Sequence, residues 1–245
     1  MTLGRRGARA SARPPALHGP AGAGAAAPTG RGRGLVWVVV LAGLLVAVAA
    51  VRALLVAPFS IPSGSMQPTL EVGDRILVDR TVSPEELRRG DVVVFDAARA
   101  FALGRPGAGP LAEMAQALGA LVGHGPETDY VKRVIGLPGD RVRCCDRAGR
   151  VVVNDQPLDE PYLYPGDVPS AHPFDVTVPA GSFWVLGDHR SASADSRAHL
   201  GDPGGGMVPG ADIIGQVWVR YWPLGRAGRL APAPQPSPAS PRNGQ

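Results

Sequence analysis

Leu35 to Val51 is a run of 17 residues without a charge, and after Arg52 the apolar stretch resumes as far as Ala57. As a helix, such a run is long enough to cross the roughly 30 Å of hydrocarbon in a bilayer. Arg52 falls near one end, where a long side chain can reach the headgroups. Residues 1–34 carry Arg5, Arg6, Arg9, Arg13, Arg31 and Arg33 and no acidic residue. The positive-inside rule holds that arm in the cytoplasm and sends the rest of the chain outside. The expectation is one uncleaved transmembrane anchor over residues 35–57. A basic leader, an apolar run and Ala47-Val48-Ala49 also fit a cleavable signal peptide. The run is long for one, and Ser65 follows Val51 by only 14 residues.

The charge of +4 belongs to that arm. Six of the 25 Lys and Arg lie in residues 1–34 and a seventh is Arg52, which leaves 18 basic against 21 acidic residues from position 53 onward. A nucleic-acid-binding fold would carry its positive charge on the folded domain, so nucleic acid is excluded as a partner. The arm is rich in Ala, Gly, Pro and Arg and too poor in large apolar residues to bury a core; it reads as disordered. Cys144 and Cys145 are adjacent, which permits only a strained small-ring disulfide or two thiols. They offer too few ligands for a structural zinc site. No metal or other cofactor is expected.

Beyond the anchor the pattern is that of strands. Phe59 to Ile61 is short and extended, held so by Pro62. Asp74–Asp79 and Asp91–Phe95 are β-branched runs bounded by glycine, with a capped helical turn at Ser83–Leu87 between them. Residues 98–128 read as a surface insertion containing a short helix over Leu111–Leu121. Tyr130–Ile135 is a strand that ends at a Gly-Leu-Pro-Gly-Asp turn. Arg141–Cys145 and Val151–Val153 form a hairpin. Asn154–Pro173 is loop, Phe174–Val178 and Ser182–Leu186 are a strand pair, Gly201–Gly210 is loop, and Ile213–Trp222 is the last strand. Residues from 224 on are a Pro/Ala/Ser tail. Many short strands with turn punctuation predict a mainly β domain over residues 58–223.

One residue count points to chemistry. Among the 25 basic residues, Lys132 is the sole lysine. Arginine does not give up its proton in a protein, whereas a buried lysine can become a neutral amine and act as a base. Lys132 lies on a strand among Val131, Val134 and Ile135. Ser65, in Pro62-Ser63-Gly64-Ser65-Met66, would supply the nucleophile. The backbone N–H of Ser65 and the hydroxyl of Ser63 would receive the oxyanion. A Ser–His–Asp reading through His189 and Asp188 is disfavoured, because Gln67 stands where Gly-x-Ser-x-Gly needs its second glycine. No Ser-x-x-Lys occurs.

Four boxes carry a specific resemblance. They are Ile61–Leu70, Gly73–Val78, Asp129–Asp140 and Leu186–Arg197, and in this order and spacing they resemble the bacterial type I signal peptidases, of an actinobacterial kind. The resemblance covers about residues 35–223. It implies a repressor-protease-like β-fold behind one transmembrane helix, a Ser65–Lys132 dyad, and a monomer in the cytoplasmic membrane with its catalytic domain outside. It also implies that Ser193 orients the lysine amine and that Asp195 and Arg197 prop the site. The substrates implied are exported preproteins cut after Ala-x-Ala. An extended peptide would add to the edges at Phe59–Pro62 and Asp129–Val131, where Pro62, Asp129 and Tyr130 are substrate-binding residues, with Phe59, Ile61, Met66, Leu70 and Val131 forming shallow apolar pockets. Two other readings are a self-cleaving repressor, disfavoured by the anchor, and an anchored β-domain that binds peptides without cutting them.

Overall fold

The computed structural model describes residues 31–103 and 128–230. A boundary between two compact units falls at Val46/Ala47, within the first helix. That helix, α1 (Arg31–Leu54), has no acidic residue in its first turn. At 1.5 Å per residue its 24 residues rise about 36 Å. Gly34–Val51 is the one window among the described residues that is long and apolar enough to cross a membrane. The expected anchor reached Ala57, but the helix stops at Leu54. Val56 and Ala57 instead open the first strand, opposite Asp79 and Val78. Pro58 is the physical reason: it disfavours the helical region for the residue before it.

The β domain is built from antiparallel pairs. In chain order the strands are β1 (Val56–Ser60), β2 (Arg75–Asp79), β3 (Val92–Asp96), β4 (Asp129–Gly136), β5 (Arg141–Cys144) and β6 (Val151–Val153). Then come β7 (Gln156–Pro157), β8 (Phe174–Thr177), β9 (Ser182–Leu186), β10 (Val208–Pro209), β11 (Ile213–Trp222) and β12 (Gly228–Arg229). One sheet runs β1-β2-β11-β3-β4-β9-β10, with β12 also on β11; a smaller one runs β7-β6-β5-β8.

Strand β3 shows why the large sheet holds. All five of its residues are buried, because alternate side chains enter two different cores. Val93 and Phe95 pack with Val134, Phe183, Val185 and Val208. Val92 and Val94 pack with Ile61, Met66, Leu70, Ile76 and Val78. Each such side chain contributes about 1.5–3 kcal/mol through burial. A third cluster, including Ile135, Val142, Val153, Phe174 and Trp184, joins the two sheets. Gly136 sits at that junction: a Cβ there would lie 2.7 Å from Val142 Cγ2 and 2.8 Å from Val178 Cγ2.

Several expectations need correction. Phe174–Val178 and Ser182–Leu186 do not pair with each other. β8 joins β5 in the small sheet and β9 joins β4 in the large one. The turn at 179–181 therefore carries the chain between sheets, and Val178 is held by Asp140 and Gly139 instead. The glycine-rich segment 201–210 contains β10, which pairs with β9. Beyond Pro223 the chain is still ordered by a 3-10 turn at Leu224–Arg226 and by β12, which pairs with Val219 and Arg220. A one-turn helix, α2 (Ala97–Ala100), follows β3; residues 104–127, which make up most of the expected insertion and include the helix expected at Leu111–Leu121, lie outside the described residues. The β5–β6 hairpin forms as expected, and a disulfide joins Cys144 to Cys145 at its β5 end.

Candidate active site

Residues 61–74 form a loop closed on itself. Ile61 N–H donates to Asp74 O at 2.9 Å and Gly73 N–H donates to Ile61 O at 2.8 Å. Inside it, Gly64–Met66 makes a single 3-10 turn that buries Ser65 and Met66. β4 supplies the facing wall. Tyr130 and Lys132 are two residues apart and share a face of the strand, and the Lys132 amine lies 5.1 Å from the centre of the Tyr130 ring. Lys132 Nζ donates to Ser65 Oγ at 2.9 Å and to Val131 O at 3.0 Å.

Lys132 is 4% exposed. Burial pushes its pKa down from 10.5 to about 8, while the charges of Asp195 and Asp188 pull the other way. Desolvation prevails because the amine's hydrogen bonds go to a hydroxyl and a carbonyl rather than to a carboxylate. Ser63 Oγ lies 3.4 Å from Ser65 Oγ.

The box after β9 wraps the back of the site. Gly187 lets the chains meet: a Cβ there would fall 2.2 Å from Ser193 Oγ and 2.6 Å from Ser65 O. Ser193 thus lies beside the Ser65 loop, and its buried hydroxyl makes no hydrogen bond among the described residues. Asp195 is fully buried. Its Oδ2 accepts from Gly187 N–H at 3.0 Å and from Arg197 Nη2 at 2.8 Å, and its Oδ1 accepts from Arg197 Nε at 2.9 Å. Arg197 Nη2 also donates to Arg190 O.

Sequence reading missed a second layer of ion pairs. Arg133, beside Lys132, donates from Nε and Nη2 to the two oxygens of Asp188 at 2.7 and 2.5 Å. Arg133 Nη1 donates to Gly90 O, and its guanidinium stacks 4.0 Å from the centre of the Tyr162 ring. Thr69 Oγ1 bonds Asp188, so the 61–74 loop, β4 and the 187–197 segment share one buried pair. Arg190 pairs with Glu160 from the loop after β7. The signal available in the sequence was that Arg133 and Asp188 lie inside the boxes; their pairing needs the fold.

A cleft of about 300 Å³ opens over this arrangement. It is lined by Ile61, Pro62, Ser63, Ser65 and Met66 on one side and by Asp129, Tyr130, Val131 and Lys132 on the other, with Ala192 and Ala194 behind. β1 stands at one end of the large sheet. β9 meets β4 only from Arg133 onward, so Tyr130–Lys132 has a strand neighbour only on its β3 side. Phe59 and Leu70, expected in the pockets, do not line the cleft. Leu70 is fully buried in the cluster with Ile61 and Met66, because the side chains of a closed loop point inward as well as toward the groove, and Phe59, on β1, packs against the same cluster. Ala192 and Ala194 were not anticipated.

A serine hydroxyl within hydrogen-bond distance of a buried amine, beside a groove lined by the 61–66 loop and β4, is an arrangement that can turn the hydroxyl into a nucleophile. The comparisons with known proteins narrow this to a family. The model of the family "Signal peptidase, peptidase S26" matches residues 34–222. Signal peptidase I of Mycobacterium tuberculosis (strain H37Rv) is 40% identical over 199 residues, covering 70% of this chain and 66% of that protein. Signal peptidase I of Leptolyngbya laminosa is 39% identical, covering 71% and 72%. Signal peptidase IB of Staphylococcus aureus (strain COL) is 32% identical, covering 78% and 90%. This chain belongs to the signal peptidase family, peptidase S26. It spans about two thirds of the length of the mycobacterial relatives it matches. A solved signal peptidase I from Enterococcus faecalis aligns at 24% identity and a TM-score of 0.35, covering 54% of this chain and 96% of that one, a likeness too slight to add to the fold.

Proposed function

We propose that this chain is a membrane-held serine endopeptidase that removes N-terminal signal peptides from exported preproteins, cutting after small residues in the Ala-x-Ala pattern. The observation that carries the reading is the sole lysine of the chain, buried in a groove 2.9 Å from a serine hydroxyl. In this reading the neutral Lys132 amine takes the Ser65 proton as Oγ attacks the peptide carbonyl. The Ser65 N–H and the Ser63 hydroxyl receive the oxyanion. Lys132 then returns the proton to the leaving amine, and water, activated by the same amine, releases the acyl group from Ser65. Ser193 would offer its unpaired hydroxyl to the amine, and the Asp195–Arg197 pair would hold the segment that carries it.

The substrate would lie extended between the Phe59–Pro62 and Asp129–Val131 edges and bond to them as an added strand. Ile61, Pro62, Met66, Tyr130 and Val131 would leave room for small side chains alone. The arm of residues 1–34 would remain cytoplasmic, the helix would span the cytoplasmic membrane in contact with lipid, and a monomeric domain beginning with β1 at Val56 would work on the outer side. Residues 224–230, with β12, would belong to the domain.

The test is cleavage of a preprotein carrying an Ala-x-Ala site, in detergent, from pH 6 to 10. The rate should rise with pH through about 8 as the Lys132 amine is freed. Lys132→Arg should be inactive with its fold intact. Appreciable activity in Lys132→Arg would overturn the dyad. No cleavage by the wild type under any condition would favour a peptide-binding domain.

A further inference from the structure

We infer that His189 is a positioning residue for the oxyanion donor of this site, an inference that rests on the Ser65–Lys132 peptidase reading. His189 grips the carbonyls on both sides of the nucleophile's α-carbon. Its backbone N–H donates to Ser65 O at 3.1 Å, and its Nδ1 lies 3.3 Å from Gly64 O. A carbonyl oxygen only accepts, so this contact places the imidazole proton on Nδ1.

Gly64 C=O and Ser65 N–H belong to one planar peptide unit and point in opposite directions. Holding the carbonyl therefore aims the N–H that is to meet the oxyanion. A hydrogen bond into the carbonyl also polarises the amide and makes its N–H a stronger donor. The imidazole is itself held in place. Its ring stacks on Tyr164 with centroids 3.8 Å apart and planes within 13°. Tyr164 N–H donates to Asp188 O at 3.0 Å, so the stacking partner is fixed to the residue before His189. This explains a histidine next to a Ser–Lys pair without making it a base: Nδ1 is engaged by Gly64 O, while Ser65 Oγ is held by Lys132.

The experiment uses the full chain in detergent and a peptide substrate with an Ala-x-Ala site, comparing wild type with His189→Ala, His189→Asn and His189→Asp. Asparagine places an N–H donor on the same δ position as Nδ1; aspartate has the same shape and only accepts. Removing an oxyanion donor outright costs about 10²–10³-fold in kcat, so loosening one should cost about tenfold. His189→Ala should lose about that factor in kcat with KM within about twofold, because the contact strengthens an interaction made in the transition state. His189→Asn should regain most of the loss, and His189→Asp should not. The Asn/Asp comparison decides the matter if His189→Ala has a lowered urea unfolding midpoint. Equal kcat in His189→Ala, a loss confined to KM, or equal rates for Asn and Asp would overturn the positioning role. A wild type that cleaves nothing would instead sink the peptidase reading, and this inference with it.

Discussion

Lys132→Met should make the protein inactive and, at neutral pH, more stable. The magnitude follows from the burial of the amine. In the folded chain its pKa falls from 10.5 to about 8, chiefly through desolvation and against the pull of Asp195 and Asp188. The unfolded chain thus binds the proton more tightly. Below about pH 8 both states carry it and the folded state bears the full cost. Between about 8 and 10.5 the folded state sheds the proton first, so wild-type stability rises with pH. At about 1.4 kcal/mol per pKa unit, the interval from 10.5 to about 8 amounts to about 3 kcal/mol. Methionine removes that cost and fills similar space, but strands the partners of two hydrogen bonds, Ser65 Oγ and Val131 O, at about 1 kcal/mol each. The net gain near pH 7 is about 1–2 kcal/mol, or a few degrees in Tm. Urea unfolding of wild type and Lys132→Met at pH 7 and pH 10 reads it. The variant should lead at pH 7, and the lead should vanish or reverse by pH 10. No gain at pH 7, or an equal gain at both values, would refute burial as the cause of the lowered pKa.

Three further outcomes are expected. Gly187→Ala should abolish cleavage while leaving the rest of the β domain folded, since its Cβ would press on Ser193 Oγ and Ser65 O at 2.2 and 2.6 Å; activity and circular dichroism check this. Arg133→Met should destabilise by about 3–5 kcal/mol, because it leaves the Asp188 carboxylate buried without its partner; denaturant unfolding reads the loss, and a change below about 1 kcal/mol would contradict it. Ile61→Ala or Val131→Ala should widen the cleft and admit larger residues before the cut; an unchanged cleavage profile across a peptide series would count against the pocket assignment.

The strands were legible where their apolar residues alternate or run continuously: β2, β3, β4, β5, β6, β9 and β11 lie within a residue or two of their expected places. What failed was partner choice. The segment Pro179-Ala180-Gly181 has the composition of a hairpin turn, yet it joins two sheets. Which strand takes β8 is decided by β5 and by the cluster around Phe174 and Trp184, far away in sequence. β10 and β12 are two residues each and leave no periodic trace. At the site, Ser65 and Lys132 were legible through residue type and box. The Arg133–Asp188 and Arg190–Glu160 pairs were not, because a charge in the sequence looks the same whether it ends in water or in the core.

Lys132 and Arg133 are neighbours on one strand and both are buried. The strand turns them to opposite faces, and the two faces treat positive charge differently. Arg133 meets a carboxylate in bidentate geometry, a carbonyl and an aromatic ring, so its charge is kept. Lys132 meets a hydroxyl and a carbonyl, so its charge is expensive and its proton is loosely held. Exchanging the two residue types would fail on both faces. A lysine at 133 could not fork across both Asp188 oxygens, and an arginine at 132 could not give up its proton. In the proposed mechanism, that is why a chain that writes arginine at every other basic position would keep its one lysine at position 132.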